Sequence, residues 1–129
     1  MKIEGKTVSV KKSNVEVFNF LADFNNFEKL MPEEVIKFEA DETSFVFAIK
    51  GMPEIRLVKK SENKHDNITL EAASSKLPVE LEANITNIDD SSSEVKLTFN
   101  GNFNPMIKMM VQKPLTKFIE TLSDNIQNI

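Results

Sequence analysis

The stretch NPMIKMMVQKPLTKFIETLSDNI, residues 104–126, decides the fold. Asn104 followed by Pro105 is a helix start: a side chain that accepts a hydrogen bond from the first turn, then a residue whose missing N–H costs nothing at that position. Ile107, Val111, Leu115, Phe118, Leu122 and Ile126 then recur every three or four residues, while Lys108, Lys117, Glu120, Asp124 and Gln127 occupy the opposite face. This is one amphipathic helix running almost to the last residue. Its apolar stripe needs a surface to bury it.

The residues before it supply that surface. After Pro32 the hydrophobic period changes to two. Val35 to Ala40 reads as a strand, with Asp41-Glu42 as a turn; Phe45, Phe47 and Ile49 follow, with Val46 and Ala48 making that strand apolar on both faces. Gly51-Met52-Pro53 breaks the run, Ile55 to Lys60 resumes it, and Glu62 to Asn67 reads as a polar loop. Ile68, Leu70 and Ala72 alternate next, and Ser74 to Pro78 turns the chain. Val79, Leu81, Ala83 and Ile85 alternate with Glu80, Glu82, Asn84 and Thr86, a strand with one wet face. Asp89 to Ser93 is a turn of residues that bond their own backbone. Val95, Leu97, Phe99, Gly101 and Phe103 complete an antiparallel meander.

Upstream, Lys2 to Lys11 is a strand whose alternation slips near Thr7, the mark of a bulge. Ser13 and Glu16 have capping-box spacing ahead of Val15, Phe18, Leu21 and Ala22. Phe24, Phe27, Leu30 and Met31 form a second short apolar stripe stopped by Pro32. The expectation is an α+β fold: about seven antiparallel strands curved around a long C-terminal helix, with two short helices after the first strand. A helix of about 23 residues is about 34 Å long, and a strand of about nine or ten residues is about 30 Å, so one helix can lie along the sheet.

The chain has 129 residues, 40% of them hydrophobic, which suits a single domain over residues 1–129 with a real core. A net charge of −4 argues against nucleic acid and gives no reason to expect attraction to anionic membranes. There is no cysteine, which excludes disulfides and zinc thiolate sites. No signal-like or membrane-spanning run is visible, so a cytoplasmic location and no stable membrane insertion are expected. All ten aromatic residues are Phe, accompanied by six Met. Such an interior supplies volume without polar handles.

Single features have two readings each. His65, the one histidine, is a possible base in principle, but it sits between Lys64 and Asp66 in a polar segment and reads as a solvated loop residue. Arg56 points outward if Leu57 points inward; in the opposite register it would meet an acidic head group, and Lys50 and Lys113 share that ambiguity. Pro114 frees the carbonyl of Met110, either as a polar handle or as the cost of a bend. Asp89-Asp90-Ser91-Ser92-Ser93 lacks the spacing of a calcium loop. No catalytic or metal-binding set of residues and no cofactor motif is found.

The order strand, two short helices, meander, long helix resembles the START/Bet v 1-like superfamily, the helix-grip fold. The segment Lys11-Lys12-Ser13-Asn14-Val15-Glu16-Val17-Phe18-Asn19-Phe20-Leu21-Ala22-Asp23 is similar to the one in which these proteins start their first helix. Phe27-Glu28-Lys29-Leu30-Met31-Pro32 stands where they carry an aromatic-rich second helix, with Phe27 in place of their common Trp. The resemblance implies a cavity between sheet and long helix for a lipid, polyketide or isoprenoid-like molecule. Some relatives are cyclases or aromatases, and others bind partner proteins.

On that expectation the cavity lining is Phe27, Phe47, Leu57, Leu70, Leu81 and Phe99 from the sheet side, with Met106, Met109 and Met110 from the helix. The same residues also read as ordinary packed core, the commoner role of a Met stripe at helical spacing. An empty cavity of about 300 Å³ would cost roughly 7 kcal/mol, which rivals the total stability of a small domain. A hydrophobic-ligand module therefore needs a wet, occupied or collapsible cavity. A cyclase-like enzyme needs converging polar groups, which the apolar candidates do not provide, so the chain leans away from catalysis. A protein-interaction domain would have a filled core and an exposed apolar patch.

Overall fold

A computed structural model of the chain describes residues 1–74 and 77–129. The turn expected at Ser74 to Pro78 thus lies partly outside the described residues. The elements run β1 (Lys2–Glu4), β2 (Val8–Val10), α1 (Asn14–Ala22), a 3₁₀ turn (Phe24–Leu30), β3 (Val35–Ala40), β4 (Ser44–Ile49), β5 (Ile55–Asn63), β6 (Asn67–Ala72), β7 (Val79–Asp89), β8 (Ser92–Gly101) and α2 (Pro105–Gln127). One antiparallel sheet has the order β1-β8-β7-β6-β5-β4-β3, with β2 also paired to β8. It curls into a half-barrel around α2, the helix-grip architecture.

Local chemistry sets the element ends. Ser13 Oγ accepts from the Glu16 N–H at 3.2 Å, and Glu16 Oε1 accepts back from the Ser13 N–H at 3.4 Å. Asn104 Oδ1 accepts from the Ile107 N–H at 2.9 Å, with Pro105 as the first helical residue. Asp41 Oδ1 accepts from the backbone of Thr43 and Ser44, and Asp89 Oδ1 from that of Ser91, closing the β3–β4 and β7–β8 turns.

Three expectations change in detail. The first strand is split into β1 and β2 at Gly5-Lys6-Thr7. A side chain at Gly5 would stand 2.8 Å from Ser123 Oγ and 3.1 Å from the Leu97 carbonyl, so the glycine is what lets α2 approach this edge. The second short helix is 3₁₀ rather than α. The polar loop at Glu62 to Asn67 contracts to a tight turn at Lys64–Asp66, because β5 continues to Asn63 and β6 begins at Asn67.

Register puts the apolar residues of each strand in rows on the concave face. Leu70 lies opposite Leu81, Leu81 opposite Phe99, and Phe99 opposite Ile3. Outward rows are charged and paired, as in Lys60 Nζ to Glu80 Oε1 at 2.8 Å. Val46 faces outward yet is buried, cross-strand from Glu39 and Arg56.

Four exposed carboxyls are held below their ordinary pKa. Glu4 is lowered by hydrogen bonding from Lys2 and the charge of Lys96, and Glu34 by a hydrogen bond from Lys117. Asp41 is lowered by the Thr43 and Ser44 N–H groups, and Asp89 by the Ser91 N–H and the Ser92 hydroxyl. Each ionises more readily folded than unfolded, so each stabilises the fold above the unfolded value and loses that contribution as pH falls through the folded value. Chemical denaturation should show stability dropping as pH falls below 4.5, the ordinary value for Glu34. The drop should be shallower in Glu34→Gln and smaller at high salt. A pH-independent midpoint across that range would contradict the assignment.

Candidate functional site

Among the described residues, the side chains between sheet and helix form one buried cluster. A void large enough for water would leave the atoms lining it exposed to a water-sized sphere. Phe47, Leu57, Leu115, Ile119 and Leu122 are 0% exposed. Phe118 stacks on Phe47 with ring centroids 4.7 Å apart and tilts against Phe99 at 5.9 Å. Phe27 stacks on Phe45 at 4.6 Å. Six of the nine expected lining residues, Phe27, Phe47, Leu57, Leu70, Leu81 and Phe99, do meet in one cluster, but they meet as packed core.

The helix residues behave differently. Met106 and Met109 are 80% and 84% exposed, so neither the lining nor the core expectation holds for them. Met110 is half-exposed at 49%. The reason is the unequal hold on α2. Its second half is fixed by buried Leu115, Phe118, Ile119, Leu122 and Ile126 and by polar ties. Asn125 Nδ2 donates to the Leu30 carbonyl at 2.8 Å, Lys117 pairs with Glu34 at 2.9 Å, and Lys6 pairs with Asp124 at 2.5 Å. Over Pro105–Pro114 only Val111 is fully buried, with Ile107 half-buried beside it.

Two apolar pockets lie along α2, one beside this loosely held half and one at Pro114–Phe118. One, of about 290 Å³, is lined by Pro53, Glu54, Ile55, Arg56, Ala72, Ser74, Leu77, Ile107 and Met110. The other, of about 210 Å³, is lined by Pro32, Glu34, Ile49, Lys50, Pro114, Lys117 and Phe118. Phe118 thus forms the wall between the second pocket and the packed core. A larger concavity of about 780 Å³ runs over the outward row Lys2, Asn100, Glu80 and Glu71 and is open surface rather than a chamber behind the helix. Among the lining residues, Pro53, Ile55, Ala72, Leu77 and Ile107 were missed from sequence. The usable signal was that the Gly51-Met52-Pro53 break and the helix start come to the same end of the sheet.

Arg56 points outward as expected, with Nη1 donating to Ser44 Oγ at 2.7 Å, while Leu57 points in. Lys50 and Lys113 are exposed. His65 departs from expectation: it is half-buried, edge-on to the Phe18 ring at 5.2 Å. Of the buried hydroxyls, Ser93 Oγ donates across the fold to the Lys12 carbonyl and Ser123 Oγ donates one turn back to the Ile119 carbonyl. Among the described residues no three His, Cys, Asp or Glu side chains gather as a metal site, and no helix is long and apolar enough to cross a membrane.

Solved structures share this fold over nearly the whole chain. A START superfamily protein from Mycobacterium smegmatis matches with a TM-score of 0.69 at 12% identity, covering 98% of this chain and 94% of that one. The KanY protein matches at 0.76 and 10% identity, covering 99% and 95%. Norcoclaurine synthase from Thalictrum flavum, solved with dopamine and hydroxybenzaldehyde, matches at 0.71 and 14%, covering 99% and 84%. No family sequence model and no curated protein matches the chain. The chain therefore has the START/Bet v 1-like helix-grip fold, shown by architecture and not by sequence identity.

Replacing Phe118 with Ala should cost about 3–5 kcal/mol and join the second pocket to the space the ring vacates. Denaturation measures the first effect. Increased uptake of a small apolar probe such as benzene, followed by NMR shifts of Phe47 and Phe99, measures the second. Unchanged stability would contradict the packed interior.

Proposed function

We propose that the chain binds a hydrophobic small molecule, entering under the first half of α2 between Ile107, Met110, Ile55 and Leu77. The observation that carries this reading is the coincidence of an apolar pocket with the half of the gripped helix that buries the fewest side chains. The helix-grip fold supports it, since domains of this shape bind hydrophobic molecules as a class. The 290 Å³ pocket is at the small end of ligand sites. It would admit a compact lipid-like, polyketide or isoprenoid-like group, or one end of a longer molecule if the Met side chains rearrange. Such a module would act as a carrier or sensor in the cytoplasm. No cofactor is needed for binding.

A filled core with exposed Met106 and Met109 also favours a second reading, a protein-interaction domain. Native mass spectrometry of the purified chain separates the two. Ligand binding predicts a co-purifying lipid-sized mass, or saturable uptake of a fluorescent fatty-acid probe. Met110→Trp, which narrows the pocket from a half-exposed position, should reduce probe affinity at least tenfold with little change in thermal midpoint. Normal probe binding by that variant would place the ligand elsewhere. No bound mass and no probe uptake would leave the interaction domain.

A further inference from the structure

The sheet has two ends, and only one is covered. At the β1–β2 end α2 lies so close that a side chain at Gly5 would stand 2.8 Å from Ser123 Oγ. The other end is β3, which pairs with β4 alone. The Asp41 N–H donates to the Ser44 carbonyl at 2.9 Å. By the two-residue period of an antiparallel ladder, Glu39 and Lys37 then turn their backbone groups toward Val46 and Ala48. Phe38 and Ala40 turn theirs away from β4, and among the described residues no other group bonds them. Beside them Ile36 is 70% exposed, at the bulge between Val35 and Lys37. Among the described residues, Glu39 has one cation in reach, Lys37 at 3.9 Å, and Lys37 lies nearer to Glu54 at 3.3 Å.

We infer that β3 pairs antiparallel with β3 of a second copy about a two-fold axis through Phe38, joining two half-barrels edge to edge. A two-fold axis perpendicular to the sheet gives each residue a fixed counterpart. The free backbone groups of both strands face each other only in registers that pair even-numbered residues with even-numbered ones. Three such registers centre on the middle of the strand. Centring on Lys37 opposes two lysines and centring on Glu39 opposes two glutamates, and like charges directly opposite are destabilising. Centring on Phe38 sets Lys37 of each copy opposite Glu39 of the other, twice over. It also sets the exposed Ile36 opposite Ala40 of the other copy. Charge therefore selects one register, and the strand is complementary to itself in it. Pairing consumes the open edge of each copy while the opposite edge stays under α2, so the assembly closes at two instead of growing into a fibre. With six residues in the strand, the edge buries less than a permanent interface does, and the dimer depends on concentration.

Sedimentation velocity of the full chain over a concentration series tests this, with monomer in dilute solution giving way to dimer and nothing larger. Lys37→Glu and Glu39→Lys each turn both attractive cross-strand pairs into repulsive ones, and each should weaken association about tenfold. Both side chains are exposed, so the circular dichroism spectrum should not change. Mixing the two variants restores opposite charges at both contacts, and native mass spectrometry of the mixture should show the heterodimer well above either homodimer. Amide exchange gives a second readout. Raising the concentration should slow exchange at Phe38 and Ala40 and leave Lys37 and Glu39, already bonded to β4, unchanged. Dimers indifferent to these charge reversals would place association elsewhere and overturn the inference. Growth beyond two copies would contradict the closed pairing. A monomer at every concentration would also overturn it; if an added extended peptide then protected Phe38 and Ala40, the edge would belong to a peptide partner instead.

Discussion

Phe118 lies between Phe47 on β4 and Phe99 on β8, and through it one helix is packed against strands from both sides of the curled sheet. The contact depends on α2 coming close, and Gly5 permits that on the β1–β2 side, where a Cβ would collide with Ser123. Below this point the helix is held by buried side chains and by its ties to Leu30, Glu34 and Lys6. Above it the apolar stripe narrows to Val111 and Ile107, and the 290 Å³ pocket and the exposed methionines fall within this upper half. Stability and the candidate function thus occupy different halves of one helix.

That division resolves the tension between a stable small domain and a ligand site. An empty chamber at the centre of the sheet would consume a large share of the folding free energy. Burying Phe47, Leu57, Leu115 and Ile119 completely in one cluster avoids that cost around these side chains. A site at the margin costs less, because its walls are half-solvated to begin with and its moving part is a helix end anchored by few contacts. Segments of low local stability are where binding surfaces are commonly found.

Much of the fold was legible because it is written in local chemistry. The Ser13–Glu16 box, the Asn104-Pro105 start and the Asp41 and Asp89 turns are short-range signals, and each has its expected hydrogen bonds. Strand alternation likewise set which residues face inward. The site was less legible, for two reasons. Met106 and Met109 are assigned to the interior for their apolarity, although helical phase already sets them off the buried stripe, about 100° and 200° around the helix from Ile107, and the loose hold on this half leaves them exposed. The other reason is long-range. Which turn of a uniformly amphipathic helix overhangs the sheet depends on where β4, β5 and β6 end in space, and the contact of His65 with Phe18 depends on how a turn folds over α1. Neither is encoded within a window of sequence.

The central claim is that α2 is gripped along its second half and free to admit a ligand along its first. Amide hydrogen exchange across the helix tests it most directly. Protection should be high from Leu115 to Ile126 and clearly lower from Met106 to Lys113, and a bound apolar ligand should slow exchange in the first segment while leaving the second unchanged. Uniform protection along α2, or ligand-induced protection confined to the second half, would contradict the account.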